Sequence, residues 1–292
     1  MKIAIYGRKL KQSLSAHVEQ LFSLLHKKEI EYTVYAPFGK HLNNDFKIEL
    51  RGNTFTKREE VGNNVDFVFS LGGDGTMLDS FSWIGEYEIP VIGINFGRLG
   101  FLASIAIEQI DEAINVLIKN SFDIDKRKMI SLTSNHAIFQ KSAFALNEFT
   151  IQRSETSSMI TVHTYLDGEH LNSYWADGLI VSTPTGSTGY NLSCGGPIIY
   201  PHSQSFVLTP IAPHNLNVRP MIVPDDVEIK LEVEGRSSRF LATLDSRLET
   251  IDSTCVITLK KSEFAANLVR LSKRNFINAI RYKLHWGEDL RN

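Results

Sequence analysis

The sequence predicts an N-terminal open, Rossmann-like α/β domain followed by an all-β, β-sandwich-like domain, and three observations carry that prediction. Up to about residue 125, short apolar runs alternate with segments of helical periodicity, the pattern of a parallel sheet covered by helices. The early strand-like runs are apolar at nearly every position rather than at every second one, as in strands buried on both faces. From Lys126 onward helical periodicity nearly vanishes and short strand-like runs take over, the texture of an all-β domain. The expected division is 1–125 for the α/β domain, 126–265 for the β domain, and 266–292 for a tail, extended or helical, that packs back on the first domain.

In chain order, Lys2 to Tyr6 is an apolar run and the first expected strand. Leu14, Val18, Leu21, Phe22 and Leu25 then recur at i, i+4, i+7, i+8 and i+11, which puts them on one face of a helix. Tyr32 to Tyr35, Val65 to Leu71 and Pro90 to Asn95 are the next three strands. A helix is expected from Met77 to about Ile84, and Ile110, Ala113, Ile114, Leu117 and Ile118 outline another after Phe101. In the second half the strand runs are Ile130 to Thr133, Ala143 to Gln152, Ile160 to Leu166, Leu179 to Thr183, Val227 to Val233, Arg239 to Leu244 and Cys255 to Leu259. Asp167-Gly168 and Glu234-Gly235 lie between such runs and are expected as hairpin turns, the first being the stronger signal.

Composition narrows the function. A chain of 292 residues, 42% hydrophobic and 22% charged, can bury one large core or two medium ones. Its 31 Lys+Arg against 33 Asp+Glu give a formal charge of −2, so no global pull toward nucleic acid or an acidic membrane is expected. Cys194 and Cys255 are the only cysteines and lie far apart, which suits a reducing cytoplasm and argues against a disulfide framework or structural zinc. The N-terminus turns polar after five residues, and no run approaches the roughly 18 apolar residues of a membrane span. The expectation is a cytoplasmic protein. None of the nine histidines forms a metal-ligand pattern, and His214, between Pro213 and Asn215, is expected to be structural. Lys126-Arg127-Lys128 and Lys273-Arg274 are expected to be solvated, with a role at most in steering anions.

Two segments carry chemistry. The strand Val65 to Leu71 runs into Gly72-Gly73-Asp74-Gly75-Thr76 and then a helix. Glycines at such a corner let backbone N–H groups approach phosphate oxygens, and a helix N-terminus favours the anion. Asp74 is the odd member, because a carboxylate beside phosphates repels them unless it holds Mg²⁺ or takes a proton from an attacking hydroxyl. Neither G-x-x-x-x-G-K-[ST] nor a strand-linked G-x-G-x-x-G occurs, so this phosphate site is of neither of those types. The second segment runs from Thr183 to Pro197 and is dense in glycines and hydroxyls. Thr185, Ser187 and Thr188 suit a polar ligand, and Tyr190 can stack on a base or ribose.

Gly72-Gly73-Asp74-Gly75-Thr76, Leu146-Asn147-Glu148, Asp177 to Thr188 and Leu208 to His214 together resemble the NAD kinase family. Asn95 to Leu102 also resembles that family's loop after the fourth strand. The pentapeptide alone is shared with diacylglycerol, sphingosine and phosphofructokinase-type kinases, whereas the later blocks are more restrictive. The resemblance implies transfer of the γ-phosphoryl of ATP to the 2′-hydroxyl of the adenosine ribose of NAD⁺, giving NADP⁺ and ADP, with a divalent cation held mainly by the nucleotide phosphates. It implies that Asp74 is the proton acceptor and also touches NAD⁺ with Gly75, and that Gly72, Gly73, Gly75 and Thr76 bind the ATP phosphates. Asn147 and Glu148 then fit the dinucleotide, the amide pairing with adenine and the carboxylate accepting from both ribose hydroxyls. Asp177 resembles the residue that receives the nicotinamide carboxamide. Thr185 and the segment Thr188, Gly189, Tyr190, Asn191, Leu192 and Ser193 are expected at the adenosine portion. A cleft between the domains and a homo-oligomer, dimer or tetramer, are implied as well.

Three positions depart from the family pattern. Gly189 stands where alanine is frequent, and Trp175 where a basic residue is common. Arg247 replaces a frequent glutamine and is expected to attract a phosphate of the dinucleotide. Two alternatives stay open on sequence alone: a lipid or small-alcohol kinase sharing the pentapeptide, and a noncatalytic NAD(P)-binding regulator.

Overall fold

The computed structural model describes residues 1–97, 100–103, 105–154, 158–271 and 276–286. The chain forms two compact units, Met1–Lys126 with Ala266–Asn292, and Arg127–Ala265. The first stretch holds strands β1 (Lys2–Gly7), β2 (Glu31–Tyr35), β3 (Asn53–Phe55), β4 (Phe67–Leu71), β5 (Val91–Asn95), β6 (Ile105–Ala106) and β7 (Asp123–Arg127). Helices α1 (Ser15–Lys27), α2 (Ala36–Phe46), α3 (Asp74–Ile84) and α4 (Ile110–Ile118) lie between them. The second unit holds β8 (Ile130–Ser134), β9 (Phe144–Ala145), β10 (Glu148–Arg153), β11 (Ile160–Leu166), β12 (Glu169–Ala176) and β13 (Gly178–Ser182). The short helix α5 (Tyr190–Ser193) follows, then β14 (Ser205–Ile211), β15 (Met221–Pro224), β16 (Ile229–Glu234), β17 (Phe240–Leu244), β18 (Arg247–Ile251) and β19 (Ile257–Lys261). The tail contributes β20 (Ala266–Arg270) and α6 (Phe276–Leu284).

In the first unit the sheet order is β3-β2-β1-β4-β5-β20-β7, with β6 paired to β5. The pairs β1 with β2 and β4, and β4 with β5, are parallel. β4 and β5 are buried at every residue, which is why their sequences are apolar without alternation. Val18, Leu21, Phe22 and Leu25 of α1 pack into the same core as Ile3, Ile5, Phe69, Ile92 and Ile94. From β1 the chain proceeds to β2 and β3 on one side and to β4 and β5 on the other. The crevice at the carboxyl ends of β1 and β4 is therefore the topological switch point, where open α/β sheets bind ligands. The tail is both extended and helical: β20 lies parallel to β5, Asn267 donates to the carbonyl of Glu88 (2.6 Å), and Arg270 pairs with Asp125 (3.0 Å).

The second unit contains two six-stranded antiparallel sheets, β15-β14-β13-β10-β17-β18 and β12-β11-β16-β19-β8-β9. Phe149, Ile151, Val181 and Leu244 from one sheet share a core with Leu132, Val162, Leu231 and Ile257 from the other, as in a sandwich.

Several elements differ from expectation for identifiable reasons. α2 is hidden in the sequence by Pro37 and Gly39, yet proline is tolerated in a first helical turn, and Phe38, Leu42 and Phe46 share a buried face. Helix α3 begins at Asp74 rather than Met77, so part of the glycine segment is its first turn. Glu234-Gly235 is not a hairpin: β16 pairs with β11 and β19, β17 with β10 and β18, and the chain changes sheets there. The run Ala143 to Gln152 breaks into β9 and β10, again on different sheets, with Leu146 and Asn147 at the crossing. Asp167-Gly168 does join the paired strands β11 and β12.

The basic run at 126–128 is not uniformly solvated. Arg127 is buried and its guanidinium donates to Thr185 Oγ1 (3.2 Å), while Lys128 pairs with the buried Asp225. Arg98, Leu99 and the Lys273-Arg274 pair lie outside the described residues. Among the described residues no helix is long and apolar enough to cross a membrane.

Candidate functional site

In the first unit the site grows from the corner between β4 and α3. Gly72 has φ +151°, and a Cβ there would lie 2.3 Å from Thr76 Oγ1, so only glycine makes this turn without strain. Gly72 N–H donates to the Ile94 carbonyl (2.9 Å), and the Gly73 carbonyl receives the N–H groups of Thr76 and Met77 (3.0 and 3.2 Å). Thr76 is buried with its hydroxyl against Gly72, which shapes the turn from inside. Gly73 and Gly75 are exposed. A Cβ on Gly73 would meet nothing within 4 Å, and one on Gly75 only Arg8 Nη1 at 3.9 Å. Their glycine character therefore serves approach from outside, at the positive end of a helix dipole.

The Asp74 carboxylate is held by three backbone amides. Phe101 N–H donates to Oδ2 (2.8 Å), and the N–H groups of Leu102 and Ala103 donate to Oδ1 (3.1 and 2.9 Å). Gly100 makes this possible, since a Cβ there would stand 1.7 Å from Oδ1. A carboxylate offers about four lone-pair sites, so Asp74 is fixed in direction and keeps capacity for one further hydrogen. In the sequence, Asn95 to Leu102 is legible only as a resembling loop. That its amides bind Asp74 depends on a tertiary contact no local pattern encodes.

In the second unit a group of acceptors is built where the chain crosses between sheets. Asp245, at φ +53° in the turn between β17 and β18, accepts the N–H groups of Leu146, Asn147 and Glu148 (2.9, 2.8 and 3.2 Å) and donates its own N–H to the Glu148 carbonyl (2.9 Å). Burial pushes the Asp245 carboxyl up, against the pull of those amides and of Arg247. Glu148 is pushed up to about 8, first by burial and then by the charge of Asp245. Glu148 Oε2 and Asn147 Oδ1 are buried acceptors without a hydrogen-bond partner, a costly arrangement that a donor-bearing ligand relieves. They border Gly189, where a Cβ would lie 3.1 Å from Glu148 Oε2 and 3.4 Å from Asn147 Nδ2. The pair can receive a vicinal diol and the amino edge of a heteroaromatic ring.

The glycine- and hydroxyl-rich segment divides into supporting and presenting residues. Thr183 donates to the Leu146 carbonyl (2.6 Å), and Gly186 packs where a Cβ would be 2.3 Å from the Asn147 carbonyl oxygen. Ser187 donates to the Pro184 carbonyl (2.7 Å) and accepts from Ile199 N–H (3.0 Å). Asn191 is fully buried; its amide donates to the carbonyls of Ser187 and Pro197 (3.0 Å each) and its oxygen accepts from Thr209 (2.6 Å). The side chains of Thr185, Ser187 and Asn191 thus brace the loop. Tyr190 and Ser193 are exposed, while Thr188, Gly189 and Leu192 are half-buried. Burial raises the Tyr190 hydroxyl and the Cys194 thiol, which hydrogen-bond each other.

Asp177 is half-buried and pairs with Arg153 (2.9 Å). Trp175 is exposed and packs on His214, with ring centroids 4.1 Å apart, which gives that histidine a structural occupation. Arg247 requires a correction. Its guanidinium donates to the backbone carbonyls of Ser142, Phe144 and Leu244, so it clamps the approach to β9 rather than reaching for a phosphate.

Residues 3–122 match the ATP-NAD kinase N-terminal domain and residues 146–271 the ATP-NAD kinase C-terminal domain. The chain is 47% identical over 293 residues to a NAD kinase of Cytophaga hutchinsonii and 41% identical over 291 residues to one of Bacteroides fragilis, with all of each chain covered in both cases. Among solved structures, an Archaeoglobus fulgidus NAD kinase in complex with ATP aligns with TM-score 0.74 and 27% identity, covering 98% of this chain and 99% of that one. The yeast NADH kinase complexed with NADH aligns with TM-score 0.88 at 24% identity, covering 100% and 89%, a likeness of fold.

Proposed function

Because the chain belongs to the NAD kinase family and is an ATP-dependent NAD⁺ phosphotransferase, we propose that Asp74 is the proton acceptor in that transfer. The 2′-oxygen of the adenosine ribose bonds to the γ-phosphorus as the bond from that phosphorus to the β,γ-bridging oxygen breaks. ADP leaves with the electron pair, the hydroxyl proton passes to Asp74, and NADP⁺ is formed. The observation that carries the assignment is the three-amide cradle, which holds the Asp74 carboxylate beside the exposed Gly73 and Gly75. Preorganised direction is what a general base requires.

In the same reading Gly72, Gly73, Gly75 and Thr76 form the phosphate turn. Asn147 and Glu148 take adenine and the ribose hydroxyls, Asp177 takes the carboxamide, and Thr188 to Ser193 take the adenosine portion with Thr185 in support. The unpartnered Glu148 Oε2 and Asn147 Oδ1 favour those two roles. A divalent cation is proposed to arrive on the triphosphate, where it neutralises phosphate charge. Two free cysteines suit a cytoplasmic setting. A homo-oligomer fits the outer strand β15, which leaves Met221 and Ile222 exposed.

The test measures NADP⁺ with an NADP-specific dehydrogenase after incubation with ATP, Mg²⁺ and NAD⁺. The wild type is expected to be active, and Asp74→Asn to lose about 10²–10⁴-fold in kcat. Near-full activity of Asp74→Asn would remove the base assignment while leaving the kinase assignment standing. NAD⁺ binding without any NADP⁺ would instead identify a noncatalytic regulator.

A further inference from the structure

A cavity of about 730 Å³ opens in the first unit at the amino ends of the parallel strands, a size within the range of small-ligand pockets. Lys2 opens β1, Glu31 opens β2 opposite it in the ladder, and Val65 leads into β4. The glycine turn follows the other end of β4, roughly 20 Å of strand away, so the cavity and the phosphate turn lie at opposite ends of the same strands. Hydrogen bonds tie one wall together. His26, in the last turn of α1, stacks on Tyr32 with centroids 5.6 Å apart, and its Nε2 meets the Tyr32 hydroxyl at 2.9 Å. That hydroxyl also accepts the Arg51 N–H (3.1 Å), which draws the segment before β3 over the ring. Gly52 permits the approach, since a Cβ there would lie 2.3 Å from the Tyr32 carbonyl oxygen.

The unspent groups of the lining set the chemistry of an occupant. Tyr32 and Phe55 are buried, so no aromatic face is offered to a ring. Glu60 is already filled by the N–H groups of Thr56 and Lys57 and by the Thr56 hydroxyl. The Lys2 ammonium, the Arg51 guanidinium and the Glu31 carboxylate, by contrast, have no hydrogen bond or ion pair among the described residues. The same is true of the Asn53 amide and the Thr54 hydroxyl, and all five side chains are exposed. His26 adds no cation near neutral pH, because burial and then Arg51 hold its imidazole below the usual range. Two free cations against one free carboxylate call for an anion, and a guanidinium fork beside an ammonium suits a phosphate best. The carboxylate, amide and hydroxyl on the same lining call for several ligand hydroxyls.

We propose that this cavity binds a phosphorylated polyol, of the sugar-phosphate class, at a site separate from the nucleotide sites. The phosphate lies between Arg51 and Lys2, and hydroxyl groups of the ligand donate to Glu31 and exchange hydrogen bonds with Asn53 and Thr54. Occupancy bridges the first residues of β1 and β2 to the segment entering β3. The site stands independently of the phosphotransfer reading, since none of its residues belongs to the phosphate turn or to the dinucleotide loop.

The experiment is isothermal titration calorimetry on the full chain, with glycerol phosphate and glucose-6-phosphate as probes and inorganic phosphate and glucose as controls. NAD⁺ and the non-hydrolysable β,γ-imido analogue of ATP are held at saturation, so that the nucleotide sites are filled. At least one phosphorylated probe is expected to bind once per chain and more tightly than inorganic phosphate, while glucose gives no saturable heat. Arg51→Gln is expected to weaken that binding about ten- to a hundredfold, the range for losing a hydrogen bond to a charged group. Glu31→Gln should weaken it by about three- to tenfold. Both variants replace exposed side chains and are expected to melt, without ligand, at the wild-type temperature. Failure of both probes to saturate at concentrations on the order of 10 mM, inorganic phosphate binding as tightly as either, or an unchanged affinity in Arg51→Gln would overturn the proposal. Heat that appears only when the nucleotides are omitted would place the probe in the nucleotide sites and overturn it as well.

Discussion

Two residues show how single positions control this chemistry. Glu148 is held neutral up to about 8 by burial beside Asp245. Its folded value lies above the ordinary carboxylate range, so its contribution to stability is complete below about pH 4.5 and is lost as pH rises toward 8. In the role proposed for Glu148, ligand binding has the opposite sense, because a ribose diol is best received by the ionised form. The KM for NAD⁺ is expected to fall roughly tenfold from about pH 6.5 to about pH 8 and then level off. Glu148→Gln should flatten that profile; a slope that survives it would assign the titration elsewhere. Gly100 controls Asp74 by absence of bulk. In Gly100→Ala the new methyl would overlap Asp74 Oδ1, and the loop must withdraw its amides. A displacement on the order of 1 Å at a reacting group costs about 10²-fold, so kcat should drop by about that factor while the KM for NAD⁺ moves little. An unchanged kcat would show that the amide cradle is dispensable.

At the scale of elements, the first unit was legible because β4 and β5 are buried on both faces and α1 has a clean apolar stripe. Elements escaped detection where local chemistry masked them. β12 is exposed at several of its eight residues and has no clear alternation, and β14 carries Pro210 in its interior. The candidate site was legible where it lies in contiguous stretches, as at Gly72 to Thr76 and Thr183 to Pro197. It was not legible where partners are remote. Asp245 meets Leu146 across 99 positions, Phe101 meets Asp74 across 27, and Arg127 meets Thr185 across 58. No window of sequence holds both members of those pairs, and a basic run such as 126–128 looks solvated until its burial is known. Element edges also bear on assembly. β15 is the outer strand of its sheet, and its exposed Met221 and Ile222 follow the exposed Leu216. Such an edge invites pairing with a second copy. If it is used, Ile222→Lys should shift the protein to a smaller species in light scattering without lowering its melting temperature. An unchanged mass would place any oligomer contact elsewhere.

For the whole molecule, connectivity predicts which part folds alone. The Arg127–Ala265 unit has both sheets and a shared core within one continuous stretch, so it meets the requirement for independent folding. The other unit is discontinuous. Its β20 comes from the tail and lies inside the sheet order, between β5 and β7, with Leu268 opposite Val91. Without the tail, β5 loses its parallel neighbour there, Glu88 loses the amide of Asn267, and Asp125 loses the guanidinium of Arg270. The buried Leu268 and Val269 also leave the core, at a cost of about 1.5–3 kcal/mol each, a large share of the 5–15 kcal/mol that stabilises a typical domain. A fragment of residues 127–265 is therefore expected to unfold cooperatively in a thermal melt followed by circular dichroism. A fragment of residues 1–126 should show no cooperative transition, and adding residues 266–292 through a short linker should restore one. A cooperative melt from 1–126 alone would mean that β20 completes a sheet that is already stable, and that the tail is not needed for the fold of the unit carrying Asp74.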